Sequence, residues 1–332
     1  MKAVRVTAPS TLEIADVPMP EPGDQVLIKP ITVGVCGTDV KVFTGAIAVD
    51  YPRILGHEVI GEVVAAPSES DFQAGDRVLI DPASSCGHCD LCTRGRPHLC
   101  RNAGLLGREI DGVFADYVLA PTSAVLAVPD TISVQASGLL QVLGTCVHAL
   151  SAVTLVPGQV VAVIGLGVAG QLMVQLLQDQ GVTVAGITRS EWKRDLAARN
   201  GAAMVTAPED ATSALADLTS GRGPDLVIEA VGYEKTLAQS IELVGIGGEV
   251  IVFGTLTGGT EGLPYYQLYY KELTLYNPRA ALIGDYAAGI ELAAAGRLAL
   301  ETVVTHELTL DEAARAFDLV HDPSSLKVLM HI

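Results

Sequence analysis

Four of the six cysteines in this 332-residue chain lie close together, as Cys86-x-x-Cys89-x-x-Cys92-x7-Cys100. Four thiolates on one short loop can close a tetrahedral shell around zinc and leave no open position, so the spacing predicts a structural zinc lobe at about 84–103. Metal binding would supply the folding energy of a segment with almost no apolar core of its own. His88 and His98 fall inside the loop as competing donors, but the four cysteines already fill the shell. A second group is scattered: Cys36 in Gly34-Val-Cys-Gly-Thr-Asp39, and His57-Glu58 after Gly56. Taken singly, Cys36 reads better as a small buried hydrophobe and His57 as a satisfied loop histidine.

Gly165-Leu-Gly167-Val168-Ala169-Gly170 follows the apolar run 160–164 and opens a helical pattern over 171–180. In that strand–turn–helix setting the first glycine makes the tight turn and the second lets backbone approach a pyrophosphate. The third permits close helix–strand packing. Free N–H groups at the helix start then face the phosphates. About 20 residues on, an NAD site carries an acid that binds the ribose hydroxyls. Here the second strand ends Ala185-Gly186-Ile187-Thr188-Arg189-Ser190, with Thr188 in that place. Arg189 can fork onto a 2′-phosphate and Thr188 and Ser190 can donate to it, so the expected cofactor is NADP(H) rather than NAD(H). The alternative is that Arg189 is a solvated helix-start residue.

These groups need a scaffold. Residues 1 to about 140 read as β-rich, with β-branched runs at 26–28, 59–64, 77–80 and 113–119 between turn signals. From 158 to 275 strands (160–164, 182–187, 225–229, 249–254) alternate with helical stretches (171–180, 191–200), the rhythm of a doubly wound parallel sheet. A helix at 285–295, a strand at 303–308, a helix at 310–321 and a strand at 325–331 complete the chain. The formal charge of −17 argues against nucleic acid and anionic membrane as partners, since both need a basic footprint. It also argues against a zinc-ribbon reading of the four cysteines. No run is long and apolar enough for a membrane span, and the first twenty residues lack an apolar signal core, so a cytoplasmic location is expected.

In family order, the C-G-T-D segment at 36–39, G-H-E at 56–58, the four-cysteine lobe, the glycine turn at 165–170 and Thr305-His306 resemble the zinc-dependent medium-chain alcohol and polyol dehydrogenases. The resemblance covers essentially the whole chain. It implies an α/β protein with a GroES-like catalytic domain at 1–142 and 279–332 and a Rossmann cofactor domain inserted at 143–278. It also implies two zinc ions per subunit, one catalytic and one structural, and a homodimer or homotetramer. By the same resemblance Cys36 and His57 are catalytic zinc ligands and Glu58 is a ligand or close neighbour. Asp39 holds the histidine's tautomer, and Thr38 passes the substrate proton outward. Thr145 lies near the nicotinamide and Lys327 near the cofactor phosphates.

Two positions depart from the family pattern. The remaining ligand is usually Cys, Glu or Asp, and here Gln141 stands in its place, as in certain sugar dehydrogenases of the family; Cys146 is a rival ligand. Lys41 replaces a histidine that finishes the proton relay in many relatives. The implied reaction is reversible oxidation of an alcohol to a carbonyl, with a polyol, sugar or cyclitol secondary hydroxyl favoured. The alternatives are an NAD-dependent simple secondary-alcohol dehydrogenase, a zinc-independent quinone or enone reductase, and a non-catalytic dinucleotide-binding structural protein.

Overall fold

The computed structural model describes residues 1–256, 259 and 261–332. Ten strands come first: β1 (Lys2–Ala8), β2 (Thr11–Asp16), β3 (Val26–Val35), β4 (Arg53–Ile54), β5 (Glu58–Ala65), β6 (Arg77–Ile80), β7 (Ala83–Ser84), β8 (Gly104–Leu105), β9 (Val118–Ala120) and β10 (Val125–Ala127). Six more alternate with helices: β11 (Val160–Ile164), β12 (Thr183–Ile187), β13 (Met204–Thr206), β14 (Leu226–Glu229), β15 (Glu249–Val252) and β16 (Thr274–Tyr276). Two close the chain, β17 (Val304–Thr309) and β18 (Lys327–His331). The contacts divide the chain into two compact units. The first is Met1–Thr145, Ala280–Gly296 and Leu300–Ile332, and the second is Cys146–Arg279 with Arg297–Ala299.

In the first unit the main sheet runs β10-β6-β5-β3-β18-β17, with β9 also on β3. β3 pairs antiparallel with β5 (Gly34 opposite Glu58) and on its other side with β18 (Val35 opposite Val328). That register is what builds a site. It sets Cys36, just past the end of β3, beside the start of β5 and the start of β18. Val33, Val35, Val59, Val328 and Met330 anchor the three strands in one apolar core. β3 is longer than the run at 26–28 predicts. It continues through Pro30 because the ladder is irregular between Pro30 and Thr32, where a missing N–H is tolerated.

The expected strand at 113–119 is regular only over β9. Val113 and Phe114 instead donate their N–H groups to Gly56 and Leu55, and their side chains are fully buried. An apolar β-branched run thus serves as a core wedge under the Gly56-His57 loop rather than as a ladder strand. The expected helix at 310–321 is a 3₁₀ turn, Leu310–Glu312, followed by the helix Ala313–Leu319.

The second unit is a six-stranded sheet, order β13-β12-β11-β14-β15-β16, with every pair parallel. This is the dinucleotide-binding strand order, in which ligands meet the carboxyl ends of strands where the order reverses. β11 is buried along its whole length, as a central parallel strand must be. Among the described residues no helix is long and apolar enough to cross a membrane.

Candidate metal centres and cofactor turn

Asp39 sits on the first turn of the short helix Gly37–Phe43 and is almost fully buried. One of its oxygens, Oδ2, accepts the Cys36 N–H at 2.9 Å. The other, Oδ1, accepts the Gly56 N–H at 3.1 Å and lies 3.3 Å from His57 Nδ1. One carboxylate therefore ties the end of β3 to the loop before β5 and leaves His57 Nε2 as the ring's other end. Burial lowers the His57 pKa, but the Asp39 charge and then the Cys36 thiol outweigh it and hold it well above its ordinary value. Gly56 has φ +93°, and any side chain there would run into the Phe114 ring, so the residue before the histidine has to be glycine.

The donor atoms of Cys36, His57 and Glu58 all lie within 4.8 Å of one another. Glu58 is buried, and its Oε2 is paired with Lys327 Nζ, which also donates to the Val35 carbonyl. The resemblance sets Lys327 near the cofactor phosphates. In the structure its side chain is only 3% exposed and its amine is committed to Glu58 and the Val35 carbonyl. Gly34 makes room for the pair, since a Cβ there would overlap both Glu58 and Lys327. Thr38 is half-buried.

Gln141 and Thr145 lie one turn apart on the helix Leu140–Leu150. Gln141 is buried and donates its amide N–H to the Tyr286 hydroxyl at 3.5 Å, while the Thr145 hydroxyl donates to the Val142 carbonyl. Burial, and then the Asp81 charge, push the Tyr286 phenol well above its usual range, so it stays neutral. Cys146, the rival ligand, is fully buried with its thiol on the Ala169 carbonyl at 3.8 Å and is outside the Cys36–His57–Glu58 cluster. Asp81 lines a cavity of ≈ 1290 Å³ in the first unit together with Ser84, Tyr117 and Asp285; Cys36, His57 and Gln141 do not line it. Burial pushes the Asp81 carboxyl up to about 6.

The four remaining thiols form the second centre. Cys89 and Cys92 sulfurs are 3.5 Å apart, Cys100 and Cys86 3.5 Å, and Cys89 and Cys100 3.9 Å. A tetrahedron with metal–sulfur bonds of about 2.3 Å has edges of about 3.8 Å, so the sulfurs already stand where zinc needs them. Backbone N–H groups of Arg101 and Cys92 pull the Cys89 thiol down to about 6, and those of His88 and Cys89 lower Cys86. Burial, and then its crowding by the other thiols, pushes Cys92 up to about 11, a conflict that a bound cation resolves. His88 turns away, with Nδ1 on the Cys86 carbonyl, and Cys100 is the one buried residue in 84–103. Both donor sets fit zinc.

In the second unit Gly165 has φ +94°, and a Cβ on Gly170 would fall on the Gly165 carbonyl oxygen. Gly167 precedes the helix Val168–Asp179, so Val168, Ala169 and Gly170 form its first turn, whose N–H groups have no partner within the helix. Thr188, Arg189 and Ser190 follow β12 directly. Arg189 is exposed, and its guanidinium has no partner among the described residues. Its backbone carbonyl and that of Thr188 accept from Arg194 Nη1, which fixes the bend. Asp39 and Thr38 were visible in the C-G-T-D segment. Gly34, Phe114 and Tyr286 carry no local signal, and the pairing of Lys327 with Glu58 carries none either.

Residues 22–130 match the family described as alcohol dehydrogenase GroES-like domain, and residues 168–295 match zinc-binding dehydrogenase. The chain is 32% identical to L-threonine 3-dehydrogenase of Pyrococcus abyssi (99% of this chain, 98% of that protein) and 29% identical to sorbitol dehydrogenase of Bacillus subtilis (100% and 97%). It superposes on a zinc-binding dehydrogenase of Sinorhizobium meliloti 1021 solved with NADP, with a TM-score of 0.93 and 32% identity over 100% of this chain and 99% of that one. A GroES-like unit with these donor sets, joined to a dinucleotide-binding unit, makes the chain a member of the zinc-dependent medium-chain alcohol and polyol dehydrogenases. Its activity is therefore oxidoreduction of an alcohol or polyol with NAD(P).

Proposed function

We propose that this dehydrogenase acts on a secondary hydroxyl of a polyol, sugar or cyclitol and prefers NADP(H). In this reading Cys36, His57, Glu58 and Gln141 hold the catalytic zinc, and Cys86, Cys89, Cys92 and Cys100 hold a structural one. The observation that carries it is the Cys36–His57–Glu58 cluster, its histidine and carboxylate buried, with Asp39 behind the histidine. Threonine 3-dehydrogenase acts at a secondary hydroxyl among polar groups and sorbitol is a polyol, which supports the substrate class. The unpaired Arg189, with no acid at Thr188, supports the 2′-phosphate, and so does the NADP in the Sinorhizobium structure.

A zinc ion held there supplies the Lewis acidity that makes a hydroxyl proton easy to lose near neutrality. Asp39 keeps His57 in the tautomer whose Nε2 faces the site. Lys327 cancels the Glu58 charge, and the neutral Gln141 leaves the site one charge more positive than a thiolate or carboxylate would. Thr38 takes the substrate proton outward. Gly165, Gly167, Val168, Ala169 and Gly170 seat the pyrophosphate, Thr188, Arg189 and Ser190 the 2′-phosphate, and Thr145 borders the nicotinamide. The subunits assemble as a homodimer or homotetramer in the cytoplasm.

Initial rates over a panel of polyols, aldoses, cyclitols and simple secondary alcohols, each with NADP⁺ and NAD⁺, test this reading. Turnover favours NADP⁺ and a polyhydroxylated substrate, and Arg189→Ala erodes the NADP⁺ preference about 10- to 100-fold, the worth of a charged hydrogen bond. Cys36→Ser and His57→Ala abolish turnover and leave dinucleotide binding intact. Surviving turnover in either variant overturns the zinc assignment, and a native preference for NAD⁺ overturns the Arg189 role.

A further inference from the structure

Tyr286 is the bulkiest fully buried side chain among the described residues, and nothing in the sequence motifs accounts for it. It comes from the helix Ile283–Ala294 and packs where Gly144 leaves a gap, since a Cβ on Gly144 would overlap its ring. Gly144 lies three residues after Gln141, on the same face of the helix Leu140–Leu150. The missing side chain at 144 therefore brings the phenol to the residue at 141. Among the described residues, the Gln141 amide makes one hydrogen bond, the one it donates to Tyr286 Oη at 3.5 Å. The phenol also feels the Glu58 charge, from the carboxylate next to His57.

We propose that Tyr286 is a positioning residue for the catalytic metal site, taking the Gln141 N–H so that the amide oxygen is the end presented to Cys36 and His57. This rests on the reading of Gln141 as a zinc ligand. The two ends of an amide are not equivalent. The oxygen can bind a metal, while the NH₂ group can only donate and needs an acceptor when buried. With the oxygen on the metal, the phenol oxygen is the acceptor that keeps the buried NH₂ satisfied. At 3.5 Å the bond is long, and it sets direction more than it adds energy.

The test uses Tyr286→Phe, which keeps the ring in the Gly144 gap, and reads two properties besides turnover. These are the rate at which a chelator removes zinc from the Cys36–His57–Glu58 site and the visible spectrum of cobalt(II) exchanged into it. Tyr286→Phe speeds metal loss about tenfold and shifts the cobalt bands, as loss of a ligand-orienting partner does. The same change in a Gln141→Cys background has no such effect, because a thiolate ligand has no outer group to hold. An equal effect in both backgrounds overturns the proposal in favour of simple packing. So does an unchanged spectrum and metal loss in Tyr286→Phe when Gln141→Leu alters both. If Gln141→Leu alters neither, Gln141 is not a ligand, and the underlying reading fails with the proposal.

Discussion

Asp39 shows how much one side chain settles in this catalytic unit. Its two oxygens answer two backbone N–H groups and one imidazole, so replacing it would free the Cys36 end of β3 and the tautomer of His57 together. Asp81 presents the opposite case, a half-buried residue at a cavity wall whose partial burial pushes its pKa up from 3.8 to about 6, with one backbone N–H, from Ala83, to offset it. In the folded protein it holds its proton longer than in the unfolded chain. Its ionisation therefore costs nothing below pH 4, costs more as the pH rises from about 4 to 6, and costs the full amount above that. The full cost is about 3 kcal/mol at most. Asp81→Asn is thus expected to raise thermal stability at pH 8 and lose that advantage at pH 4. Melting curves across that range check it, and an equal gain at both ends would show that the carboxyl is not the cause.

Among the elements, the four-cysteine lobe depends most on something other than packing. Its helix Asp90–Thr93 and its 3₁₀ turn Pro97–Leu99 bury no side chain, so the thiol cluster is what holds it. Stripping zinc with a chelator is expected to make the bonds after Arg94 and Arg101 at least about tenfold more sensitive to trypsin, while the second unit stays resistant. Equal cleavage with and without zinc would count against the structural-zinc assignment. The lobe and the glycine turn were legible in the sequence because each is contained in a short run, where spacing alone sets geometry. So were the strands β11 and β12, whose apolar runs fill a sheet covered on both faces. What could not be read is pairing across the chain. Nothing near Lys327 announces Glu58, nothing near Tyr286 announces Gln141, and the run at 113–119 looks like a strand until Leu55 and Gly56 are seen taking its N–H groups.

At the scale of the molecule, the second unit is nearly one continuous run, whereas the first is assembled from both sides of it. β18 lies inside the main sheet, hydrogen-bonded to β3 on one side and β17 on the other. A chain cut before Lys327 is therefore expected to lose the first unit and keep the second. Partial proteolysis would leave a resistant fragment centred on 146–299 that still binds dinucleotide and holds no catalytic metal. Recovery of a native-like first unit from that shortened chain would contradict the central role given to β18.

Lys327 is 269 residues from the carboxylate it neutralises. At translation rates of 5–20 residues per second, Glu58 waits roughly ten seconds to a minute for its counterion. During that interval the emerging polypeptide carries Cys36, His57 and an unpaired Glu58 as a hydrated, exposed half-site, while the inserted unit can already fold. The order of synthesis thus makes the Glu58–Lys327 pair a late event, one that closes only when the strand from 327 to 331 slides in beside β3.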